Sequence, residues 1–221
     1  MRYPGGKGKC YPHLINLMPP HQTYIESHLG SGAVMWHKLP AQRQIGIDID
    51  PRVIATWKKL PGVPCELVCT DAVEYLDSVT IDSHTLIYAD PPYVPETRRR
   101  NRVYRYDYTN EDHESLIRCL RRKDCLVMIS GYNSDLYRSL LAGWTQITFL
   151  AKTHVETCQE SVWLNFDPPM HLHDTNYLGQ GFREREVFRR RRSRLQSRIE
   201  QMCLTEQYGL LEWLQNRLKE N

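Results

Sequence analysis

Residues 86–94 read Leu-Ile-Tyr-Ala-Asp-Pro-Pro-Tyr-Val, LIYADPPYV. An apolar run reaches one acid, Asp90. Pro91 and Pro92 then stop the strand, because proline has no N–H to give to a sheet ladder. Tyr93 follows at once. The group offers an anionic acceptor, a carbonyl that no local N–H quenches, and an aromatic platform. These suit an exocyclic amino group on a flat ring. Its two hydrogens go to the Asp90 carboxylate and the Pro91 carbonyl, and the ring stacks on Tyr93. With both hydrogens held, the nitrogen can rehybridise and aim its lone pair at an electrophile. Taken alone, the stretch also reads as a simple proline turn after a strand.

Outward from this point, short apolar strands alternate with helix-like segments. Strands are expected at 23–29, 44–48, 66–70, 85–89 and 125–130, and 144–151 with 160–166 reads as a closing antiparallel pair. Helices are expected near 33–38, 51–60, 72–77, 110–122 and 134–141. Pro51 suits a first helical turn, and Thr109-Asn-Glu-Asp112 has the order of a capping box. The alternation predicts an α/β fold with a mostly parallel sheet of seven strands and helices on both faces. In such folds ligands sit at the carboxyl ends of the strands. A stretch rich in proline and histidine, DPPMHLHD at 167–174, makes residues 167–181 a linker after a domain of residues 1–166. Residues 182–221 then read as a basic helical extension, with Phe188, Leu195, Ile199 and Met202, then Leu211, Leu214 and Leu218, at helical spacing.

The 221 residues carry a net charge of +3, unevenly spread. Residues 94–106 hold five arginines against Glu96, and residues 182–221 hold ten basic and six acidic side chains, so each segment is +4 and the remainder is −5. Two basic segments on a mildly acidic body favour a polyanionic partner. No apolar run approaches the roughly 20 residues of a membrane span. No apolar segment follows the basic start MRYPGGKGK, so the expectation is a cytoplasmic protein without a membrane partner. Seven cysteines without a C-x-x-C pair read as mostly buried thiols, and no cluster of ligands asks for a metal.

Three further pieces lie at strand ends. Leu29-Gly-Ser-Gly-Ala33 follows a strand and opens a helix, where glycine lets a ligand approach the backbone. No third glycine completes a dinucleotide fingerprint, so a tight turn remains an alternative. Asp48 and Asp50 close the second strand; one can accept from both hydroxyls of a ribose, and Asp50 suits a helix N-cap. Asp71 can cap the next helix, accept from an adenine amine, or both.

Together these pieces resemble the Dam-like, adenine-specific DNA methyltransferases, especially the small enzymes of phages and mobile elements. The resemblance covers roughly residues 1–166. YPGGK is similar to that family's N-terminal cofactor motif and ESHLGSGAV to its glycine loop; GIDIDP, CTDA and YADPPY follow in the family's order, with SGYNSDLY and ESVWLNF after them. The resemblance implies a Rossmann-like methyltransferase fold, S-adenosyl-L-methionine as cofactor, and transfer of its methyl group to N6 of an adenine swung out of double-stranded DNA. It implies a catalytic group of Asp90, Pro91, Pro92 and Tyr93. Tyr3, Pro4, Gly5 and Lys7 would bind the cofactor at its methionine end, with Glu26, His28, Gly30, Ser31 and Gly32 along its backbone side. Asp48 and Ile49 would meet the ribose, Asp71 and Ala72 the adenine, and Asp90 would border the cofactor as well as the base.

Two departures stand out. Family members often have Pro and Phe where this chain has Ser27 and His28, so imidazole replaces the usual aromatic contact. Only 18 residues separate Asp71 from Asp90, leaving no room for the larger relatives' recognition domain. DNA recognition is then expected from residues 94–108, VPETRRRNRVYRYDY, through Arg98, Arg99, Arg100, Arg102, Tyr104 and Arg105. The C-terminal helices could dock on the body, pair two copies as a homodimer, or lie along DNA. Competing readings are an RNA adenine or DNA cytosine-N4 methyltransferase, which the methylated nucleoside distinguishes, and an inactive DNA-binding module with the same fold, which need not bind the cofactor.

Overall fold

The computed structural model describes residues 7, 8, 10–97, 105–152 and 157–220, and all side chains among them except those of 151, 152, 157 and 158. Its first compact unit, through residue 175, is built from β1 (Thr23–Glu26), β2 (Arg43–Asp48), β3 (Glu66–Cys69), β4 (Thr85–Ala89), β5 (Leu126–Gly131), β6 (Thr145–Lys152) and β7 (Thr157–Leu164). Between them lie α1 (Tyr11–Ile15, ahead of β1), α2 (Ala33–His37), α3 (Pro51–Trp57), α4 (Ala72–Ser78), α5 (Asn110–Arg121) and α6 (Asp135–Leu140).

The strands form one sheet in the order β3-β2-β1-β4-β5-β7-β6. All pairs are parallel except β5 with β7 and β6 with β7. The mostly parallel, seven-stranded sheet with a closing antiparallel pair is thus as expected. Its central strands are covered on both faces, and every residue of β4 is buried, which is why they read as unbroken apolar runs. Ile25, Ile45, Ile87, Val127 and Ile129 of the sheet pack with Leu76 of α4 and Leu116, Ile117 and Leu120 of α5. The strand order runs outward from β1 to β3 on one side and from β4 onward on the other, so β1 and β4 flank the switch point, and a cleft opens beyond their carboxyl ends.

Local chemistry sets the helix starts. The Asp50 side chain accepts from Arg52 N with Pro51 in the first turn of α3; Asp71 accepts from Val73 N and Glu74 N; Thr109 and Asp112 form the reciprocal box that opens α5.

Three expectations shift. β1 ends at Glu26 rather than Leu29, because Ser27 N donates to Tyr88 O of β4 while Leu29 N turns to Ile47 O of β2, which breaks the ladder. β7 ends at Leu164, and Asn165 continues its bonding through the side chain, accepting from Val127 N and donating to Cys125 O. The basic N-terminal segment contains a helix, α1, whose Leu14 and Ile15 are buried. Of the cysteines, Cys10, Cys119 and Cys125 are buried, but Cys69 and Cys203 are exposed.

The first unit also takes in part of the stretch read as a linker. His173 N donates to Met18 O, the buried Asp174 carboxylate accepts from Leu39 N, and the His173 ring stacks on His21 at 3.9 Å. The second unit, from residue 176, contains α7 (Phe182–Glu200) and α8 (Leu204–Lys219), joined by a short turn in which Glu206 accepts from Cys203 N. No helix among the described residues is long and apolar enough to cross a membrane.

Candidate active site

The cleft at the strand ends holds about 790 Å³ of empty space, open solvent at its mouth included. Its floor is the loop after β1, with Gly30, Ser31 and Gly32; one wall is the end of β2, with Asp48, Ile49 and Asp50. Asp71 and Ala72, at the start of α4, line the far end, and Asp90, Pro91 and Pro92 line the near end. Lys7, Glu26 and His28 close the back, while Arg105, Tyr106 and Tyr108 stand over the mouth. Strand ends named separately in the sequence are therefore gathered into one cavity. Tyr3, Pro4, Gly5, Arg98, Arg99, Arg100, Arg102 and Tyr104 lie outside the described residues.

The glycine loop is held from below. Gly30 and Gly32 have φ of 44° and 59°, in the left-handed region that only glycine enters without strain. Gly30 N donates to Asp48 Oδ2 at 2.8 Å, and Gly30 O accepts from the buried Trp57 Nε1 at 2.9 Å. Asp48 Oδ1 accepts from Asp50 N at 2.8 Å. Each Asp48 oxygen thus has one backbone donor and one remaining lone-pair direction. Burial pushes the Asp48 carboxyl above its usual range, against the pull of those two N–H groups. Glu26 is buried too, accepts from the Tyr24 hydroxyl at 3.0 Å, and is pushed up to about 8 chiefly by burial.

At the β4 end, Asp90 Oδ1 accepts from Lys7 Nζ at 2.9 Å and from Ser130 Oγ at 2.7 Å. Both contacts among the described residues fall on Oδ1, so Oδ2 has lone pairs to offer a ligand. Lys7 Nζ also donates to the Tyr93 hydroxyl at 3.1 Å and lies 3.5 Å from Glu160 Oε2. The Tyr93 hydroxyl donates to Glu160 Oε1 at 2.9 Å. Burial opposes the Lys7 charge, but Asp90, Tyr93 and Glu160 outweigh it and hold its pKa well above the usual lysine value. Burial raises the Asp90 carboxyl, with Lys7 and Ser130 pulling it back. Two donors converging on one oxygen fit an ionised carboxylate, so we read the pair as ammonium and carboxylate. The Tyr93 ring stacks on Tyr132, with centroids 4.1 Å apart and planes 13° from parallel.

His28 lines the cleft and has both ring nitrogens engaged. Its Nδ1 meets Ser27 Oγ at 2.9 Å, and its Nε2 meets the Tyr108 hydroxyl at 2.9 Å. Burial lowers its pKa to about 3, so the imidazole is neutral and one nitrogen donates while the other accepts. Arg105, expected on DNA, forms a 3.3 Å ion pair with Asp50 at the cleft mouth.

Sequence reasoning missed Glu160 as a member of this group, singled out Ser130-Gly-Tyr132 as a strand-end candidate without giving it a role, and placed Tyr108 in the segment expected to recognise DNA. The signal for Glu160 was an acid inside the apolar strand Glu160-Ser-Val-Trp-Leu164, a residue type that is rarely buried without a partner. Among the described residues, no group of three or more His, Cys, Asp or Glu is placed to hold a metal ion.

No family model matches the chain. No curated protein matches it in sequence. Solved structures do resemble it. Protein LPL1258 from Legionella pneumophila aligns with a TM-score of 0.50 at 14% identity, over 75% of this chain and 86% of that one. An rRNA methylase from Streptococcus thermophilus aligns at 0.46 and 12% identity, over 70% and 92%. A SAM-dependent methyltransferase from Agrobacterium tumefaciens aligns at 0.42 and 12%, over 71% and 60%. At such identities the likeness is one of fold. With the strand order described above, the chain has a Rossmann-like α/β fold.

Proposed function

We propose that this protein is an S-adenosylmethionine-dependent DNA methyltransferase acting on the N6 amine of adenine. The observation that carries the reading is Asp90. It sits at the end of β4 with one oxygen held by Lys7 and Ser130, facing the same cavity as the glycine loop.

The residues present fit the cofactor. Gly30 and Gly32 line the cleft with bare backbone, and Gly32 must be glycine because a Cβ there would run into the Trp57 ring on which the loop rests. Asp48 offers lone pairs to vicinal hydroxyls and Asp71 an acceptor to an aromatic amine. Glu26 gives the back wall an acid that ionises beside a cation. The cofactor supplies an electrophilic methyl group on a sulfonium.

The chain's own residues then do four things. Asp90 Oδ2 and the Pro91 carbonyl accept the two amine hydrogens, which orients the nitrogen lone pair toward the glycine loop. Tyr93 takes one face of the base, which requires Tyr132 to give way. Asp90 stabilises positive charge as it develops on the nitrogen, so no proton need be removed before attack. Binding both reactants in one cleft supplies orientation. The base must leave its stack at a cost of a few kcal/mol. Arg98, Arg99, Arg100 and Arg102 are the candidates to hold the distorted backbone.

The test is methylation of unmodified DNA, read by nucleoside mass spectrometry, with a cofactor titration alongside. Wild type is expected to form N6-methyladenine, and Asp90→Ala to lose turnover while binding cofactor. Near-normal turnover in Asp90→Ala removes that carboxylate from the mechanism. Product found only in RNA, or as N4-methylcytosine, replaces the substrate; a wild type that binds no cofactor overturns the enzyme reading.

A further inference from the structure

The least explained group near the cleft is Glu160. It is 5% exposed, and its Oε2 is buried without a hydrogen bond. A buried carboxylate oxygen without a donor is costly. Here it is also oriented. The Tyr93 hydroxyl holds Oε1, and Oε2 is left 3.5 Å from Lys7 Nζ. One ammonium therefore stands between two carboxylates. It is closer to Asp90, at 2.9 Å, than to Glu160.

Catalysis changes what Asp90 needs. While the site holds no substrate, Lys7 neutralises it. Once an amino group approaches Asp90 and begins to gain positive charge, an ammonium on the same carboxylate becomes a competitor. It shares the acceptor, and it repels a like charge across a poorly screened gap. The lysine stem is flexible, and a second acceptor waits beside it.

We propose that Glu160 is the receiving carboxylate for Lys7: when the substrate amine engages Asp90, the Lys7 ammonium passes from Asp90 to Glu160 Oε2, leaving Asp90 to the substrate. Glu160 is thus a positioning residue, acting on the reaction through Lys7 and Tyr93. The exchange moves no proton and breaks no covalent bond. It also gives Tyr93 a reason to hold Glu160 by one oxygen only, since the other must be open to receive the ammonium. The inference rests on the reading of Asp90 as acceptor of the substrate amine.

Glu160→Gln keeps an oxygen for Tyr93 at nearly the same volume and removes the charge that receives Lys7. Turnover on unmodified plasmid DNA, with cofactor affinity measured separately, is compared for wild type, Glu160→Gln, Glu160→Asp, Lys7→Met and the Lys7→Met/Glu160→Gln double variant. Glu160→Gln is expected to lower kcat on the order of tenfold or more, with little change in cofactor affinity. Glu160→Asp should recover part of that loss. Without the ammonium, Glu160→Gln should cost less than about twofold, because the two residues act on each other. An equal loss from Glu160→Gln with and without Lys7, or no loss at all, overturns the exchange and leaves the methyltransferase reading standing. A Lys7→Met protein that binds cofactor like wild type but has no turnover overturns it as well. A wild type that methylates no DNA overturns both.

Discussion

Replacing Gly32 by alanine separates the demands of the glycine loop from ordinary backbone effects. The residue has φ +59°, and an added Cβ would meet Trp57 Cζ2 at 2.2 Å and Cη2 at 2.6 Å. A left-handed conformation costs a residue with a Cβ about 1–2 kcal/mol. Trp57 is fully buried and stacks on Trp36 at 5.2 Å, so it cannot swing aside freely. Overpacking of this kind costs about 1–3 kcal/mol. Displacing the indole also strains its 2.9 Å bond to Gly30 O, which is worth roughly 1 kcal/mol. Together these reach about 3–6 kcal/mol, a large share of the roughly 5–15 kcal/mol that holds a domain folded. The expected fall in Tm is about 6–24 °C for a chain of this size. Gly62→Ala is the control, since Gly62 has φ +63° but no atom within 4 Å of the added Cβ. It should lose only the backbone share, about 1–2 kcal/mol. The assay is thermal unfolding of both variants, with a cofactor titration at a temperature where both are folded. Gly32→Ala is expected to bind cofactor far more weakly, because the clash displaces Gly30 and Gly32 themselves. Equal Tm losses in the two variants, or unchanged cofactor binding by Gly32→Ala, would refute the account of the loop.

Two other outcomes are expected. Burial holds His28 near 3 in the folded protein, against 6.5 ordinarily, so the unfolded chain binds its proton first and stability falls as pH drops from 6.5 toward 3. His28→Phe should remove up to ~1.4 kcal/mol per pH unit from that fall between about pH 6 and 4, and urea midpoints with an unchanged pH slope would contradict it. Arg→Ala changes at 98, 99 and 100 should weaken DNA binding and reduce the log–log salt slope by about one for each phosphate that is no longer neutralised; a slope equal to wild type would take that segment out of the interface.

Much of the scaffold was legible because its signals are local. The run before Asp90 is apolar throughout since β4 is buried along its length, and two prolines fix where it ends. Asp50, Asp71 and Thr109 announce their helices by satisfying N–H groups two or three residues away. What stayed hidden depends on contacts distant in the chain. Glu160 becomes part of the site only because antiparallel β7 lies beside β5, which carries Ser130. The hydrogen bond of His28 needs a partner 80 residues away. Helix α1 was concealed because it is a single short turn containing Pro12, stabilised by the burial of Leu14 and Ile15 rather than by any capping residue. The ion pair of Arg105 with Asp50 was likewise hidden, because sequence shows the charge but not the acid 55 residues away that the fold brings beside it.

The hydroxyls of Tyr93 and Tyr108 are fastened to Glu160 and His28 respectively. Between these two tyrosines runs the whole arginine-bearing segment. Its roots are therefore fastened to two sides of the cleft, at Glu160 by one end and at His28 by the other. On the proposed reading of this segment as the DNA contact, it is a cassette: its interior can change in length or sequence while both attachment points stay in register, so target choice can alter without rebuilding the cleft.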